Sequence, residues 1–580
     1  MGLRRLATRR FSAFLLCGLF GELCLVGLSG LSGLASAGEV VQEYEFTFPG
    51  VEQCLENDGR CIPWGSGGDL VVKELFPLVP QRVASITIPA GEVPVTVTVE
   101  TGTSRSVPYK SRLASQLYPM TPGAFVGRKV DPYDGSAFPP DWQGQWRVDH
   151  FRGHKIVRVP LYPFRVISNS AAMFVTQMRV TVATKTTFTE SSPVSRGLAR
   201  DTVALAERVD NFANLESRII PPTEELGYLI IGPRALIGNE SDTPLRPLIN
   251  EKSDRHIHVS LAALEDIGNR PQPEDIRAFI RSRHTRDSVD YVLLIGDRAN
   301  LPWKYVKSGM RGDGDPVPSD QYYACLDGDF SSPKTIDWTC EVAVGRVGAR
   351  TRAEVANWVD KNMAFVEAIK QGRTQQALSF GERLDGRTLG GRMLDYITGG
   401  TTKSPASRGY PGHVSVTKLY DGSGPEVSSL KFLEVLNQGD FHVVNHLGHA
   451  NHNYVFRMND SAIDGFRSRP AFYYSQGCYP NDPDKDNWTI KAVRMPDFGP
   501  VAMIANTRYG WYAPGNSEEG SSSVLHRTFW AMRFEKGLKR IGEMNHRAKE
   551  VLGSASPSPV MIYTLLESNL IGDPELDLGL

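Results

Sequence analysis

A thiol and an imidazole occupy positions from which they could act together. Cys478 follows the apolar run 471–475, and His449, 29 residues earlier, follows the run 441–446. Ligands of open α/β sheets bind beyond the carboxyl ends of strands, so two neighbouring strands would bring these side chains face to face. A thiolate attacks carbonyl carbon, and a nearby imidazole accepts the thiol proton or lowers its pKa. The pattern predicts a cysteine nucleophile with a histidine base.

A glycine stands immediately before each of these two residues. Gly448 precedes His449 and Gly477 precedes Cys478. Glycine lets the backbone come close to a bound substrate, and free N–H groups in such a loop bind an oxyanion. We expect both glycines to contact substrate.

Two further residues follow predicted strands. Glu382 comes after the strand 377–381, where it either orients His449 or is a plain loop carboxylate. Trp511 comes after the strand 500–506, where it either walls a substrate pocket or packs in the core.

Four of the twelve histidines raise a competing interpretation. His442, His446, His449 and His452 are close together, and on a helix their spacing could hold zinc. The β-branched pair after His442 and the glycine before His449 favour a strand followed by a loop, and there is no HExxH motif. We expect no required cofactor, and the metal content stays unknown.

Acidic residues have simpler interpretations. A structural calcium ion could bind to the acidic series Asp482, Asp484 and Asp486, but a solvated acidic loop is the simpler interpretation. Asp327-Gly328-Asp329 predicts a hairpin turn.

The cysteine count is odd, at seven. Cys17 and Cys24 lie in a segment that is expected to be removed. Close spacing predicts two local disulfides among the others, Cys54 with Cys61 and Cys325 with Cys340. Cys478 is then unpaired, which means that it is either reactive or buried and inert, and its neighbours favour a reactive thiol.

The N-terminus has the pattern of a secretory signal peptide. Four arginines precede the apolar stretch 11–34, and Ala35-Ser36-Ala37 is a small-residue cleavage site. A membrane anchor is the alternative, against which Glu22 and many glycines argue. We predict removal of residues 1–37, a secreted, periplasmic or cell-surface protein, and no stable membrane insertion afterwards.

Length and composition exclude several classes. The chain has 580 residues, a hydrophobic content of 41%, a charged content of 22% and a net charge of −1. These values exclude a disordered or fibrous protein and give no sign of a nucleic-acid partner. The length predicts two to four domains.

Three segments follow the signal peptide. Residues 38–185 alternate in polarity with period two, as in 93–100, which predicts a β-rich domain. Residues 186–224 form a polar linker with several arginines. In 225–580, continuous apolar runs alternate with helical patterns, which predicts an α/β fold with a mostly parallel sheet flanked by helices.

At these residues the chain resembles the gingipain family of secreted cysteine peptidases, in the caspase-like clan. The motifs that carry the resemblance occur in order along the second half: Tyr291-Val292-Leu293-Leu294-Ile295-Gly296-Asp297, Leu301-Pro302, Ser319-Asp320-Gln321-Tyr322-Tyr323, Val342-Ala343-Val344-Gly345-Arg346, Gly448-His449, Cys478, Ile504-Ala505-Asn506-Thr507 with Trp511, and Asn569-Leu570-Ile571-Gly572-Asp573-Pro574-Glu575-Leu576.

The resemblance implies a caspase-like fold and a catalytic dyad. His449 would be the general base and Cys478 the nucleophile, Glu382 would help to orient the histidine, and Trp511 would line the S1 pocket. Residues 38–185 resemble the family's propeptide, which implies a zymogen activated by cleavage within 186–224, with its own propeptide and peptide substrates as partners.

The sequence departs from the family in two places. The usual Gly-His-Gly is Gly448-His449-Ala450 here, and the stretch 387–392 has no acid where members specific for a basic P1 residue have one. Asp385 and Asp395 flank that stretch. We expect a cysteine endopeptidase. An inactive homologue that serves as a secretion or surface-binding module and, less favoured, a metal-dependent hydrolase are the alternatives.

Overall fold

The structure is a computed structural model. It describes residues 39–48, 69–71, 73–89, 91–108, 113–121, 130–187, 198–212, 225–310, 314–373, 375–401, 406–422, 424–555 and 557–580. The predicted signal peptide and the predicted pair of Cys54 and Cys61 lie outside the described residues.

The N-terminal β region holds eleven strands in its described part. They are β1 (Glu39–Thr47), β2 (Asp69–Val71), β3 (Val79–Ile88), β4 (Glu92–Thr101), β5 (Ser104–Pro108), β6 (Tyr118–Pro119), β7 (Arg147–Phe151), β8 (His154–Leu161), β9 (Phe164–Ser168), β10 (Ala171–Val175) and β11 (Gln177–Thr186). Ten of them form three small antiparallel sheets, ordered β1-β11-β4, β5-β10-β9 and β2-β3-β8-β7, around one apolar core. The predicted β-rich segment is therefore present.

The α/β region follows a short helix of the linker, α1 (Ala199–Ala206). Its strands are β12 (Leu226–Gly232), β13 (Ile257–Ala263), β14 (Val289–Ile295), β15 (Lys304–Val306), β16 (Val317–Ser319), β17 (Ala343–Val347), β18 (Gln376–Gly381), β19 (Ser415–Tyr420), β20 (Val443–Leu447), β21 (Tyr454–Val455), β22 (Met458–Asn459), β23 (Ala471–Ser475), β24 (Pro500–Asn506), β25 (Trp511–Tyr512) and β26 (Ser568–Ile571). Its helices are α2 (Arg234–Ile237), α3 (Arg246–Ser253), α4 (Leu264–Ile267), α5 (Pro273–Asp287), α6 (Gln321–Ala324), α7 (Arg352–Lys370), α8 (Gly390–Thr398), α9 (Ser429–Gln438), α10 (Trp488–Arg494), α11 (Ser521–Phe534), α12 (Ile541–Gly553) and α13 (Pro559–Glu567).

Ten strands form one central sheet, in the order β13-β12-β14-β17-β26-β24-β23-β20-β18-β19. All neighbours are parallel except β24 and β26, which pair antiparallel. The sheet thus consists of two parallel halves that run in opposite directions. The prediction of a mostly parallel α/β sheet flanked by helices is confirmed.

Both faces of this sheet are covered. Val443 belongs to one buried apolar cluster and its neighbour Val444 to another, and both are fully buried. Successive side chains of a strand point to opposite faces, so apolar runs are needed where helices cover both. α7 begins as predicted, with the Thr351 hydroxyl accepting the Glu354 N–H at 3.2 Å.

The loop between α6 and β17 is closed by a disulfide between Cys325 and Cys340, as predicted. The hairpin expected at 327–329 is wrong, because no strand flanks it in this loop. Among the described cysteines, Cys478 is the free one.

Buried ion pairs join the two regions. Arg158 of β8 donates to Glu550 of α12 at 2.9 Å, and Arg152 contacts Asp290 of β14 at 3.3 Å. Within the described residues, no helix combines the length and apolarity needed to cross a bilayer.

Candidate active site

Four parallel strands end at one edge of the second half-sheet. β18, β20, β23 and β24 are followed by Glu382, His449, Cys478 and Trp511, respectively. β20 pairs directly with β23, from Val443 opposite Phe472 onward, so the loops that carry the histidine and the cysteine are neighbours. The sequence argument that these residues share a sheet edge is consistent with this arrangement.

A piece of the N-terminal β region lies across this edge. We call residues 117–121 the cleft segment. Its strand β6 pairs antiparallel with β25, which places Pro119 opposite Trp511. The N–H of Met120 donates to the carbonyl of Gly510 at 2.8 Å, and Met120 is fully buried. An extended peptide that adds a strand to an exposed edge binds in this way.

The His449 ring contacts two carbonyl oxygens. Nδ1 lies 2.6 Å from the carbonyl oxygen of Met120, and Nε2 lies 3.1 Å from that of Leu384. A neutral imidazole donates through one nitrogen only, whereas an imidazolium donates to both oxygens. The histidine is therefore aimed at a main-chain carbonyl of the cleft segment.

The thiol of Cys478 is fully buried, and its Sγ lies 3.6 Å from the carbonyl oxygen of Gly510. Burial raises the pKa of this thiol to about 12, and the hydroxyl of Thr121 and main-chain groups of Gly510 and Met120 lower it by less. These contacts place a main-chain group of Met120 and the side chain of Thr121 near the thiol. In this state the cysteine is protonated at neutral pH.

Glu382 contacts His449 in a different way from the one expected. Its Oε1 lies 2.9 Å from Nε2 of His446, and its Oε2 accepts the main-chain N–H of His449 at 3.3 Å. The carbonyl of Leu384, and not this carboxylate, meets the imidazole of His449. Glu382 thus contacts the main chain of His449 and not its ring, and its role in orienting the histidine stays a prediction.

The two glycines are required by packing between the strand ends. A Cβ on Gly448 would lie 2.4 Å from Glu382 Cδ, and a Cβ on Gly477 would lie 2.3 Å from Ala450 Cβ. This close approach of the His449 and Cys478 loops explains the glycines without a substrate. Their contact with substrate stays a prediction.

Trp511 packs in the core, and its place in a substrate pocket stays a prediction. Its main chain forms the edge that the cleft segment joins. Its side chain is buried and meets Tyr563 edge-on, with ring centroids 5.9 Å apart.

A buried polar network supports the cysteine loop from below. Gln476 contacts Nδ1 of His526 at 2.8 Å, and Nε2 of His526 contacts Asn445 Oδ1 at 2.9 Å. The Ser523 hydroxyl donates to Gln476 Oε1 at 2.9 Å. Burial lowers the pKa of His526 well below its usual value, so this histidine is a neutral link in the network.

The four clustered histidines do not gather around a common point. His442 packs edge-on against Phe365, whereas His446 lies between Ser475 and Glu382. His449 faces the cleft segment. Among the described residues, no metal-binding group includes any of the four. The zinc interpretation of this cluster is not supported.

The acidic residues of the loop 482–486 form ion pairs with arginines of the protein. Arg508 contacts Asp482 and Asp484, each at 2.8 Å, and Arg350 contacts Asp486 at 2.6 Å. Guanidinium groups therefore occupy the carboxylates on which the calcium expectation rested.

A family model described as Peptidase family C25 matches residues 222–579, more than half of the chain. The chain belongs to peptidase family C25. This is the gingipain family of cysteine peptidases, so the resemblance in the sequence is confirmed. Among curated proteins, none matches this sequence.

Solved structures of the family are distant in sequence. The Arg-specific cysteine proteinase gingipain R is 17% identical, with a TM-score of 0.46, and the match covers 62% of this chain and 80% of that one. A complex of Porphyromonas gingivalis RgpB pro- and mature domains is 17% identical, with a TM-score of 0.46 and coverages of 60% and 79%. Dimeric latent PorU from Porphyromonas gingivalis is 13% identical, with a TM-score of 0.29 and coverages of 95% and 53%.

Three residues at the site of this C25 family member could not be identified from the sequence. Met120 and Thr121 lie in an unremarkable loop more than 300 positions before the dyad, and Leu384 contributes only a carbonyl oxygen. Main-chain contacts leave no side-chain signature. Gln476, by contrast, is a buried amide directly before Gly477, and its position at the end of a strand was a signal that could have been used.

Proposed function

We propose that this protein is an exported cysteine endopeptidase that is made in a latent form. The supporting observation is the placement of one peptide unit. The Met120 carbonyl oxygen lies 2.6 Å from Nδ1 of His449, and the same residue and Thr121 contact the Cys478 thiol. The cleft segment thus occupies the position of a substrate.

In the proposed reaction, His449 takes the proton of the Cys478 thiol, and the sulfur attacks the scissile carbonyl carbon. The C–N bond breaks, the imidazolium gives its proton to the leaving amine, and a thioester remains. Water, deprotonated by His449, then hydrolyses the thioester and restores the thiol. Glu382 and Gln476 act as positioning residues, through the main chain of His449 and through the loop of Cys478.

Latency follows from what the cleft segment does to the thiol. It removes Cys478 from water, and burial raises the pKa to about 12. A protonated thiol is a poor nucleophile, so the precursor would be inactive. Departure of the segment would both open the cleft and let the pKa fall.

The substrate preference would be for an apolar P1 residue. Met120 stands at the P1 position, because its carbonyl faces the dyad, and it belongs to the buried cluster that also contains Leu384, Met393 and Trp511. The acids near this region are engaged elsewhere: Asp385 accepts the Tyr512 hydroxyl at 3.0 Å, and Asp395 contacts Lys418 at 2.7 Å. A buried apolar pocket disfavours a charged side chain.

Export rests on the predicted signal peptide and on one structural fact. The Cys325–Cys340 disulfide is stable in an oxidising compartment such as the periplasm or the exterior.

The test is hydrolysis of a peptide library by full-length protein after limited proteolysis of its arginine-containing linker. We expect cleavage after Met or Leu, and a loss of at least about a thousandfold in Cys478→Ala and in His449→Ala. His452→Ala is the matched control and should retain activity within about twofold, since only the main chain of His452 makes a described hydrogen bond. Undiminished activity in Cys478→Ala would refute the proposal. A wild-type protein that stays inactive after release of the N-terminal region would favour the surface-binding alternative.

A further inference from the structure

A second group of titratable side chains lies at the boundary between the N-terminal β region and the α/β region. His150 on β7 faces Asp327 and Asp337, which belong to the loop closed by the Cys325–Cys340 disulfide. One ligand atom from each of the three lies within 4.8 Å of the others. Glu341, at the end of the same loop, is fully buried beside them. We call these four residues the boundary cluster.

Several oxygens of the boundary cluster have no hydrogen-bond donor. Among the described residues, no N–H or hydroxyl group donates to the two buried carboxylate oxygens of Asp327 or to Oε1 of Glu341, and these two carboxyl groups lie within hydrogen-bond reach of each other. The oxygens of Asp337 accept main-chain N–H groups of Thr339 and His150, both at 2.8 Å. An unsatisfied buried carboxylate costs several kcal/mol unless a cation or a proton compensates it.

Two of the arginines near the cluster donate to other acceptors. Arg277 donates to the carbonyl oxygens of Cys325 and Gly328, the latter at 2.6 Å. Arg158 pairs with Asp149 and with Glu550.

We propose that the boundary cluster binds a divalent transition-metal ion, of the zinc class, through His150, Asp327 and Asp337, with the buried Glu341 beside them. One imidazole with carboxylates is a donor set that suits zinc better than calcium, which takes oxygen ligands alone. Zinc ligands in a tetrahedral site lie about 3.4 Å apart, from ion distances of about 2.1 Å. In the structure, the ligand atoms of His150, Asp327 and Asp337 lie within 4.8 Å of one another.

Such an ion would connect the two regions. His150 comes from the N-terminal β region and the three carboxylates come from the α/β region, so the ion contributes to their association only while both are in place. This role is independent of the proposed peptidase activity, because the boundary cluster includes neither His449 nor Cys478.

The experiment uses full-length protein with Cys478→Ala, which removes the free thiol as a competing zinc ligand. After treatment with EDTA and its removal, Zn²⁺, Mn²⁺ and Ca²⁺ are titrated separately by calorimetry, and the melting temperature is followed. We expect one Zn²⁺ per chain and a raised melting temperature, with at least about a tenfold weaker affinity in His150→Ala and in Asp327→Asn.

Asp329→Asn is the matched control, because Asp329 is exposed, lies in the same loop and forms hydrogen bonds with Ser331 and Thr335, which do not belong to the cluster. It should leave the affinity unchanged. The proposal is overturned if no ion binds stoichiometrically, if Asp327→Asn binds zinc as tightly as the parent, or if Ca²⁺ alone binds. Circular dichroism of each variant verifies that it is folded, so a variant that fails to fold is not counted as a loss of binding. His150→Ala and Asp327→Asn test the site independently.

Discussion

Truncation of Met120 to alanine should expose the Cys478 thiol. Met120 is fully buried, and its main chain contacts both His449 and Gly510. Replacing a buried methionine with alanine costs about 2–5 kcal/mol. We expect this loss of free energy to weaken docking of the cleft segment and not the fold. The pairing of the two-residue strands β6 and β25 can break without unfolding the central sheet.

The size of the effect follows from that cost and from the thiol pKa. A loss of about 2 kcal/mol raises the undocked fraction roughly 30-fold, since about 1.4 kcal/mol corresponds to a factor of ten. The upper limit comes from the ionisation of Cys478, whose pKa burial raises from 9.0 to about 12. At a fixed pH below both values, the thiolate fraction differs by about a thousandfold between the docked and undocked states.

The assay is the initial rate of alkylation by iodoacetamide at pH 8, followed by mass spectrometry of the peptide that contains Cys478. The rate in Met120→Ala should exceed the wild-type rate by about 30-fold to a thousandfold. Tyr118→Ala is the control, because Tyr118 lies in the same segment with a side chain that is 39% exposed, and it should change the rate by less than about threefold. Equal rates in Met120→Ala and wild type would refute the role of the segment, as would a wild-type thiol that reacts as fast as free cysteine.

Three further outcomes are expected. Gly477→Ala should lower the stability by about 1–3 kcal/mol in thermal denaturation, because its Cβ would meet Ala450 Cβ at 2.3 Å, and adding Ala450→Gly should restore part of the loss; no restoration would contradict this packing. Replacing Cys325 and Cys340 with serine should cost about 3 kcal/mol in urea unfolding, given the sequence separation of 15; an unchanged midpoint would show that the loop is already constrained in the unfolded chain. Burial raises the pKa of Glu550, but three arginines outweigh it and lower the pKa to about 2. Stability should therefore fall as the pH drops from about 4.5 to 2, and Glu550→Gln should flatten that part of the profile, whereas an identical profile would exclude this carboxylate as the cause.

The elements that carry His449 and Cys478 were predictable because their signals are local. The apolar run before His449 and the one before Cys478 are strands as predicted, since a strand covered on both faces must be apolar at every position. The disulfide between Cys325 and Cys340 was predictable from spacing alone. If β20 and β23 are parallel neighbours, their carboxyl ends, and therefore His449 and Cys478, lie at the same edge of the sheet. The structure shows that the two strands pair in this way.

The contacts that decide the state of the site were not predictable, because they join residues far apart in sequence. Glu382 contacts the ring of His446 but only the main chain of His449. Its position at the end of a strand is compatible with a contact to either histidine and does not distinguish them. The antiparallel pairing of β24 with β26 reverses half of the sheet, and the apolar pattern of β26 does not encode a direction. Met120 enters the site through main-chain hydrogen bonds, for which any residue type suffices.

Release of the N-terminal β region requires more than one broken peptide bond. Of the linker arginines that the sequence offered as activation sites, Arg200 pairs with Asp290 at 2.9 Å and Arg208 with Glu550 at 3.3 Å, so both lie inside the interface. Cleavage elsewhere in the linker would leave these pairs, the cleft segment and the boundary cluster intact. Latency would then end at dissociation and not at cleavage. The metal ion proposed at the boundary cluster would oppose dissociation of the N-terminal β region. Chelation should therefore speed activation of the cleaved protein without changing the rate of cleavage itself.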